Sequence, residues 1–187
     1  MKAKSETSRK TAVAGALSPE YALLGLLREK TDHGYELHQR LAADLGQVWR
    51  VSQSQVYNIL SRLEAQGFVT ATVKKQANLP DRRLLRLTAA GRRRFDAWFQ
   101  APASSSVKAI RVEFTTRLYF AQRLHPEAVS TLIEAQAAEV RAAIERLQAA
   151  REGYAPDQVF SRLSVEFRLR QLHSVLGWLA ECRAQFD

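Results

Sequence analysis

The chain has 187 residues, 46% of them apolar and 25% charged, which is enough to bury a core in one domain or two small ones and excludes wholesale disorder. Its 28 Lys and Arg against 19 Asp and Glu leave a net charge of +9, so an anionic partner is the first expectation. The single cysteine, Cys182, excludes an internal disulfide and suits a reducing compartment, and no apolar run approaches the roughly 18–20 residues that cross a bilayer.

The N-terminus, MKAKSETSRKTAVAGAL, is basic but lacks the apolar centre of a signal peptide. Residues 1–16 read as a flexible basic tail, with Lys2, Lys4, Arg9 and Lys10 available to a backbone of phosphates. A first helix follows, capped by Ser18 with Pro19 at its first position and Glu20 in its first turn. Leu23, Leu24, Leu26 and Leu27 supply its buried face, and Thr31-Asp32-His33-Gly34 breaks it. A second helix is predicted over 35–45, with Leu37, Leu41 and Leu45 spaced four apart and Gly46 just beyond its end.

The third helix carries the most information. Ser52 stands three residues before Gln55, the spacing of a capping box, and Val56, Ile59, Leu60 and Leu63 form one apolar stripe that Gly67 ends. The opposite side and the cap carry Ser52, Gln53, Ser54, Gln55, Tyr57, Asn58, Ser61 and Arg62. A merely solvated face would favour Glu and Lys, whereas amides and hydroxyls suit base edges and phosphates. After Gly67 come two short β-rich runs, 68–73 and 82–88, joined by a turn at Asn78-Leu79-Pro80-Asp81. This hairpin is basic: Lys74, Lys75, Gln76, Asn78, Arg82 and Arg83 are its candidate DNA contacts. Thr88 then caps a helix through Phe95, Trp98 and Phe99.

Three short helices and a basic hairpin describe a winged helix-turn-helix over residues 17–101. There the third helix would enter a major groove and the wing would straddle the neighbouring backbone. The charge is partitioned accordingly: residues 1–100 hold 17 basic against 9 acidic residues, and the remainder 11 against 10.

Residues 102–187 read as a helical dimerisation domain, so the fold class is mostly α with a small β hairpin. After the stretch APASSS, a helix is predicted over 107–124, and Pro126 starts another running to about residue 152. That helix places Ile133, Val140, Ile144 and Leu147 on a heptad seam, and the last helix repeats the pattern with Leu169, Leu172, Leu176 and Leu179. The expectation is that these seams face a second copy, giving a homodimer whose two reading helices stand about 34 Å apart.

Several motifs in order carry a family resemblance. YALLGLL at 21–27, HGYEL at 33–37, VYNILSRLEAQG at 56–67, RRLLRLTAAGRRR at 82–94 and RVEF with Arg117-Leu118 resemble the PadR family of transcriptional regulators. The resemblance implies a winged-helix repressor that dimerises through its C-terminal helices, binds a pseudo-palindromic operator and is often released by a small effector. It also implies that Tyr57 is a phosphate contact. Asn58 stands where many members have proline, and Leu85 where they usually have an aromatic residue.

The partners expected are therefore double-stranded DNA, a second copy and a small aromatic or amphipathic effector, with Trp178 as the candidate for its pocket. The compartment expected is the cytoplasm, on the nucleoid, with no membrane partner. The alternative is a winged-helix protein-interaction or RNA-binding module. An enzyme finds little support: His33 and His38 lie roughly 140° apart round a helix, a poor shared metal face, and no phosphate loop or nucleophile elbow occurs. No metal and no cofactor are expected.

Overall fold

The structure, a computed structural model, describes residues 18–74, 82–102 and 104–186. The basic tail, the turn at 78–81 and the wing-tip residues Lys75, Gln76 and Asn78 lie outside the described residues, as do the side chains of Lys74 and Arg82.

Helices α1 (Glu20–Glu29), α2 (Gly34–Leu45) and α3 (Gln53–Ala65) precede strands β2 (Val69–Lys74) and β3 (Arg82–Leu87) and helix α4 (Ala89–Phe99). Strand β1 (Asp32–His33), unforeseen in the sequence, lies between α1 and α2 and pairs antiparallel with β3, so β3 is the central strand of a three-stranded sheet ordered β1-β3-β2. Two residues carry no periodicity; only the tertiary pairing of Asp32 with Leu85 and His33 with Leu84 makes them a strand. The hairpin register runs from Val69 opposite Leu87 to Lys74 opposite Arg82.

The predicted stripes become a first core: the leucines of α1, Leu37, Leu41 and Leu45 of α2, and Val56, Leu60 and Leu63 of α3, all essentially inaccessible. Each such side chain withdrawn from water contributes roughly 1.5–3 kcal/mol. Tyr21 stacks on Trp98 at 4.8 Å between centroids, closing the core on the α4 side. Gly67 has φ +74°, the left-handed conformation that glycine adopts without cost, and turns the chain from α3 into the wing. Gly46 instead stays right-handed at φ −63°, and α2 ends with Val48 and Trp49 both donating to the Leu45 carbonyl.

The second half begins as one continuous helical rod: α5 (Val107–Ala109), a π-helical turn (Ile110–Phe114) and α6 (Thr115–Leu124). A short 3₁₀ turn, Pro126–Ala128, leads into α7 (Val129–Glu152), and α8 (Val159–Phe186) returns antiparallel to it. α6 belongs to both halves of the molecule. Its Ala121 packs in the second core, while Phe120, on the next face, is fully buried in the first. Gly25 makes room for Phe120, because a Cβ there would lie 2.2 Å from the ring. Polar links fix the same junction: Trp49 Nε1 donates to Thr116 Oγ1 at 2.8 Å, Tyr119 donates to Asp44 at 2.6 Å, and Arg123 pairs with Glu29. Arg117, 4% exposed, pairs with Glu113, donates to the Ala101 carbonyl and lies over Trp98. Burial pushes the Glu113 carboxyl up and Arg117 down, each opposed by the attraction of the other.

The heptad seams do not face outward. Ile133, Val140, Ile144, Leu169, Leu172 and Leu179 are at most 7% exposed within one chain, and Leu147 and Leu176 are half-buried at the margins. α7 and α8 cover each other's seams, so these residues need no second copy to leave water. Within one chain an antiparallel hairpin is itself a two-stranded partner, and a 3.5-residue repeat marks a buried face without revealing which chain supplies the other strand. Among the apolar residues left outside are Val159, Phe160, Leu163 and Phe167, which cluster at the leading end of α8 and are 57–82% exposed.

Candidate nucleic-acid interface

α3 begins as its sequence requires. Ser52 Oγ accepts from the Gln55 N–H at 3.3 Å, and Gln55 Oε1 accepts from the Ser52 N–H at 2.9 Å, so two of the free amides of the first turn are satisfied reciprocally. With Val56, Ile59, Leu60 and Leu63 turned inward, Ser52, Gln53, Ser54, Gln55, Tyr57, Asn58, Ser61 and Arg62 are all exposed. A helix with its cap intact is held at its exposed start, and this polar face, charged only at Arg62, carries amides with both donors and acceptors.

Beyond the Ser52–Gln55 cap, two further predicted contacts have protein partners. Arg62 donates to Glu20 at 3.0 Å, and the same buried carboxylate receives Arg94 of α4 through its other oxygen. Arg94 lies 4.5 Å from the Phe68 ring centroid. Arg62 is thus half-exposed and tied to α1, which its place on the polar side of α3 did not reveal. Arg83, also half-exposed, gives both oxygens of Glu64 a hydrogen bond at 2.8 Å, joining the return strand of the wing to the C-terminal half of α3. Arg86, Arg92 and Arg93 are exposed along the strand and the helix that follows.

Sequence reasoning assigned no site role to His33, Tyr35 or Gln39, which lie between α3 and the wing. Together with Gly34, Glu36, Tyr57 and Arg83 they line a cavity of about 480 Å³. Tyr57 rests on the first turn of α2, since a Cβ on Gly34 would lie 2.8 Å from its ring. Tyr35, half-exposed, accepts from Gln39 Nε2 at 2.8 Å. His33 Nδ1 lies 2.9 Å from the Arg83 carbonyl. Beneath them Asp32 is buried. Burial would push its carboxyl up, but hydrogen bonds with Glu36 and Arg40, the Lys30 charge and the His33 N–H hold it below the usual range. The signal available was an exposed Tyr at a helix start beside a break; that the break pairs with β3 was not readable locally.

Trp178 is half-buried and meets Phe114 edge to face at 6.0 Å in the second core. Among the described residues no helix is long and apolar enough to cross a membrane.

A three-helix core presenting a capped polar helix, flanked by a hairpin on a small antiparallel sheet, defines a winged helix-turn-helix protein. The Transcriptional regulator PadR-like family matches residues 23–97, and Virulence activator alpha C-term matches residues 110–187. Over 135 residues the chain is 30% identical to the negative transcriptional regulator PadR of Bacillus subtilis (strain 168), spanning 71% of this chain and 72% of that protein. The chain belongs to the PadR-like family of transcriptional regulators. Bacillus subtilis PadR has been solved in complex with operator DNA (28% identity, 90% of this chain and 98% of that one, TM-score 0.43). It has also been solved with p-coumaric acid (27% identity, the same coverage, TM-score 0.40).

Proposed function

We propose that this regulator is a repressor that binds a pseudo-palindromic operator as a homodimer, with residues 17–101 reading DNA and residues 102–187 joining the two copies. The observation that carries the reading is the exposed face of α3: seven polar residues and one tyrosine, fixed by the Ser52–Gln55 cap and flanked by the basic wing. In this reading Gln53, Ser54, Asn58 and Ser61 meet base edges. Tyr57, Lys74, Lys75, Gln76, Asn78, Arg82 and Arg83 track the phosphates. Arg62 holds α3 to α1 through Glu20 as well as facing the groove.

The dimer face is moved to the leading end of α8. Val159, Phe160, Leu163 and Phe167 recur at helical spacing and remain in water in one chain, an apolar cluster of the kind that marks an interface. A two-fold axis there pairs the patch with itself. The reading extends to a small aromatic or amphipathic effector, the class to which p-coumaric acid belongs, with Trp178 and Phe114 as the aromatic pair it would use. The setting is the cytoplasm, where the chromosome lies.

Selection of bound sequences from a random duplex pool tests the reading. The expected product is an inverted repeat with half-sites about one helical turn apart. Recovery of no preferred sequence overturns it and favours an interaction module.

A further inference from the structure

We infer that the cavity between α2, α3 and the wing is a proton-linked seat for a backbone phosphate, with His33 as the group that takes up the proton. This rests on the DNA-binding reading and adds to it a ligand position and a pH response. The cavity opens between the exposed face of α3, through Tyr57, and the return strand of the wing, through Arg83, where a duplex backbone would pass under that reading.

Its walls offer several donors beside one carboxylate, that of Glu36, which already accepts from the His33 N–H. Among the described residues the Tyr57 hydroxyl takes no protein partner, and the Tyr35 hydroxyl accepts from Gln39, which leaves its own proton free to donate. Arg83 spends one terminal nitrogen on both oxygens of Glu64, leaving its remaining N–H groups for a further acceptor. The first amides of α2 lie at the same wall, in the positive end of its dipole.

His33 is oriented by chemistry. A backbone carbonyl only accepts, so Nδ1, 2.9 Å from the Arg83 oxygen, carries the ring's proton. The neutral ring then leaves Nε2 with a lone pair, which an anion would meet badly. Protonation turns Nε2 into a donor, and an adjacent phosphate favours that form.

The charged and titratable groups around the ring come from every element packed on it. From β1, Asp32 accepts from the His33 N–H at 3.2 Å, and it is itself paired with Lys30 and Arg40. From α2 come Tyr35 and Glu36, the latter accepting from the same N–H at 3.4 Å. Arg83 comes from β3, and from α3 come Tyr57 and, behind Arg83, Glu64. A phosphate entering the cavity would add negative charge beside the ring, which favours the protonated form. Binding therefore takes up a proton, and affinity falls as pH rises.

The test uses the full chain and a 20-base-pair duplex of random sequence, with binding measured from pH 5.5 to 7.5 at fixed ionic strength. The parent protein is expected to lose about fivefold in affinity across that range, as a rise of one pH unit in the midpoint of one group gives about tenfold only over a wider span. His33→Asn keeps a donor for the Arg83 carbonyl but cannot titrate, and is expected to show a nearly flat profile. As a readout that needs no variant, the NMR titration of the His33 Cε1 proton is expected to move about one pH unit higher on adding the duplex. Equal pH slopes for parent and variant, or an unmoved titration, overturn the seat while leaving DNA binding standing. Absence of duplex binding at every pH overturns the DNA reading and the seat with it.

Discussion

The carboxylate of Glu20 serves two helices at once, one oxygen taking Arg62 of α3 and the other Arg94 of α4. Its removal leaves the more buried guanidinium of Arg94 without its partner and frees Arg62, so Glu20→Ala is expected to cost about 2–3 kcal/mol in urea unfolding. Arg62→Ala, at the half-exposed end of the pair, is expected to cost about 1 kcal/mol or less. Equal losses would mean that the bridge does not position α3. Tyr119 gives a pH signature of the same kind. Burial, the hydrogen bond to Asp44 and the nearby charges of Glu29 and Asp44 raise its hydroxyl pKa, against a smaller opposing effect of Arg123. The folded value lies above the unfolded one of about 10, so the stability this group contributes is complete below pH 10 and drains away as pH climbs further. Thermal melting between pH 8 and 11 should fall steeply for the parent and less steeply for Tyr119→Phe. Tyr21, raised mainly by its own burial, keeps part of the slope. Matching slopes would place Tyr119 in water.

At the scale of elements, α3 was almost wholly legible. Its cap, its buried stripe and its glycine stop are all local features, and the structure reproduces each of them. Ser52→Ala should cost about 1 kcal/mol and fray the reading end of α3, visible as lost amide protection at residues 53–55. Unchanged protection would show that tertiary packing alone holds that turn. What escaped was whatever a neighbour decides. β1 exists only because β3 passes beside it, and the partners of Arg62 and Arg83 stand 42 and 19 residues away. The seams of α7 and α8 were legible as buried faces, for a heptad identifies such a face and is silent on whether the covering helix belongs to the same chain. Gly25 likewise gave no sign of its purpose: it accommodates a phenylalanine 95 positions later.

For the whole molecule, the dimer face proposed at the leading end of α8 would separate association from folding. Phe167→Glu with Leu163→Glu, both on the exposed end of α8, should give a folded monomer in sedimentation with an undiminished helical spectrum. Leu172→Glu, inside the hairpin, should instead unfold the C-terminal half. A dimer that survives the double change would place the two-fold axis elsewhere. Gly25→Val forces a side chain against Phe120 and should cost about 1–3 kcal/mol, loosening the grip of α1 on α6. If the melting temperature holds, the two cores are less tightly wedged than Phe120 implies.

The rod from Val107 to Leu124 is bolted into both cores, by Phe120, Trp49–Thr116, Tyr119–Asp44 and Arg123–Glu29 on one side and by Ile110, Phe114 and Ala121 on the other. There is little slack between the part that would join the copies and the part that would touch DNA. A pair of such subunits behaves as a pair of callipers locked at one opening. One extra base pair at the centre of a target would rotate the far half-site by roughly 34° as well as displacing it, and stiff callipers cannot follow.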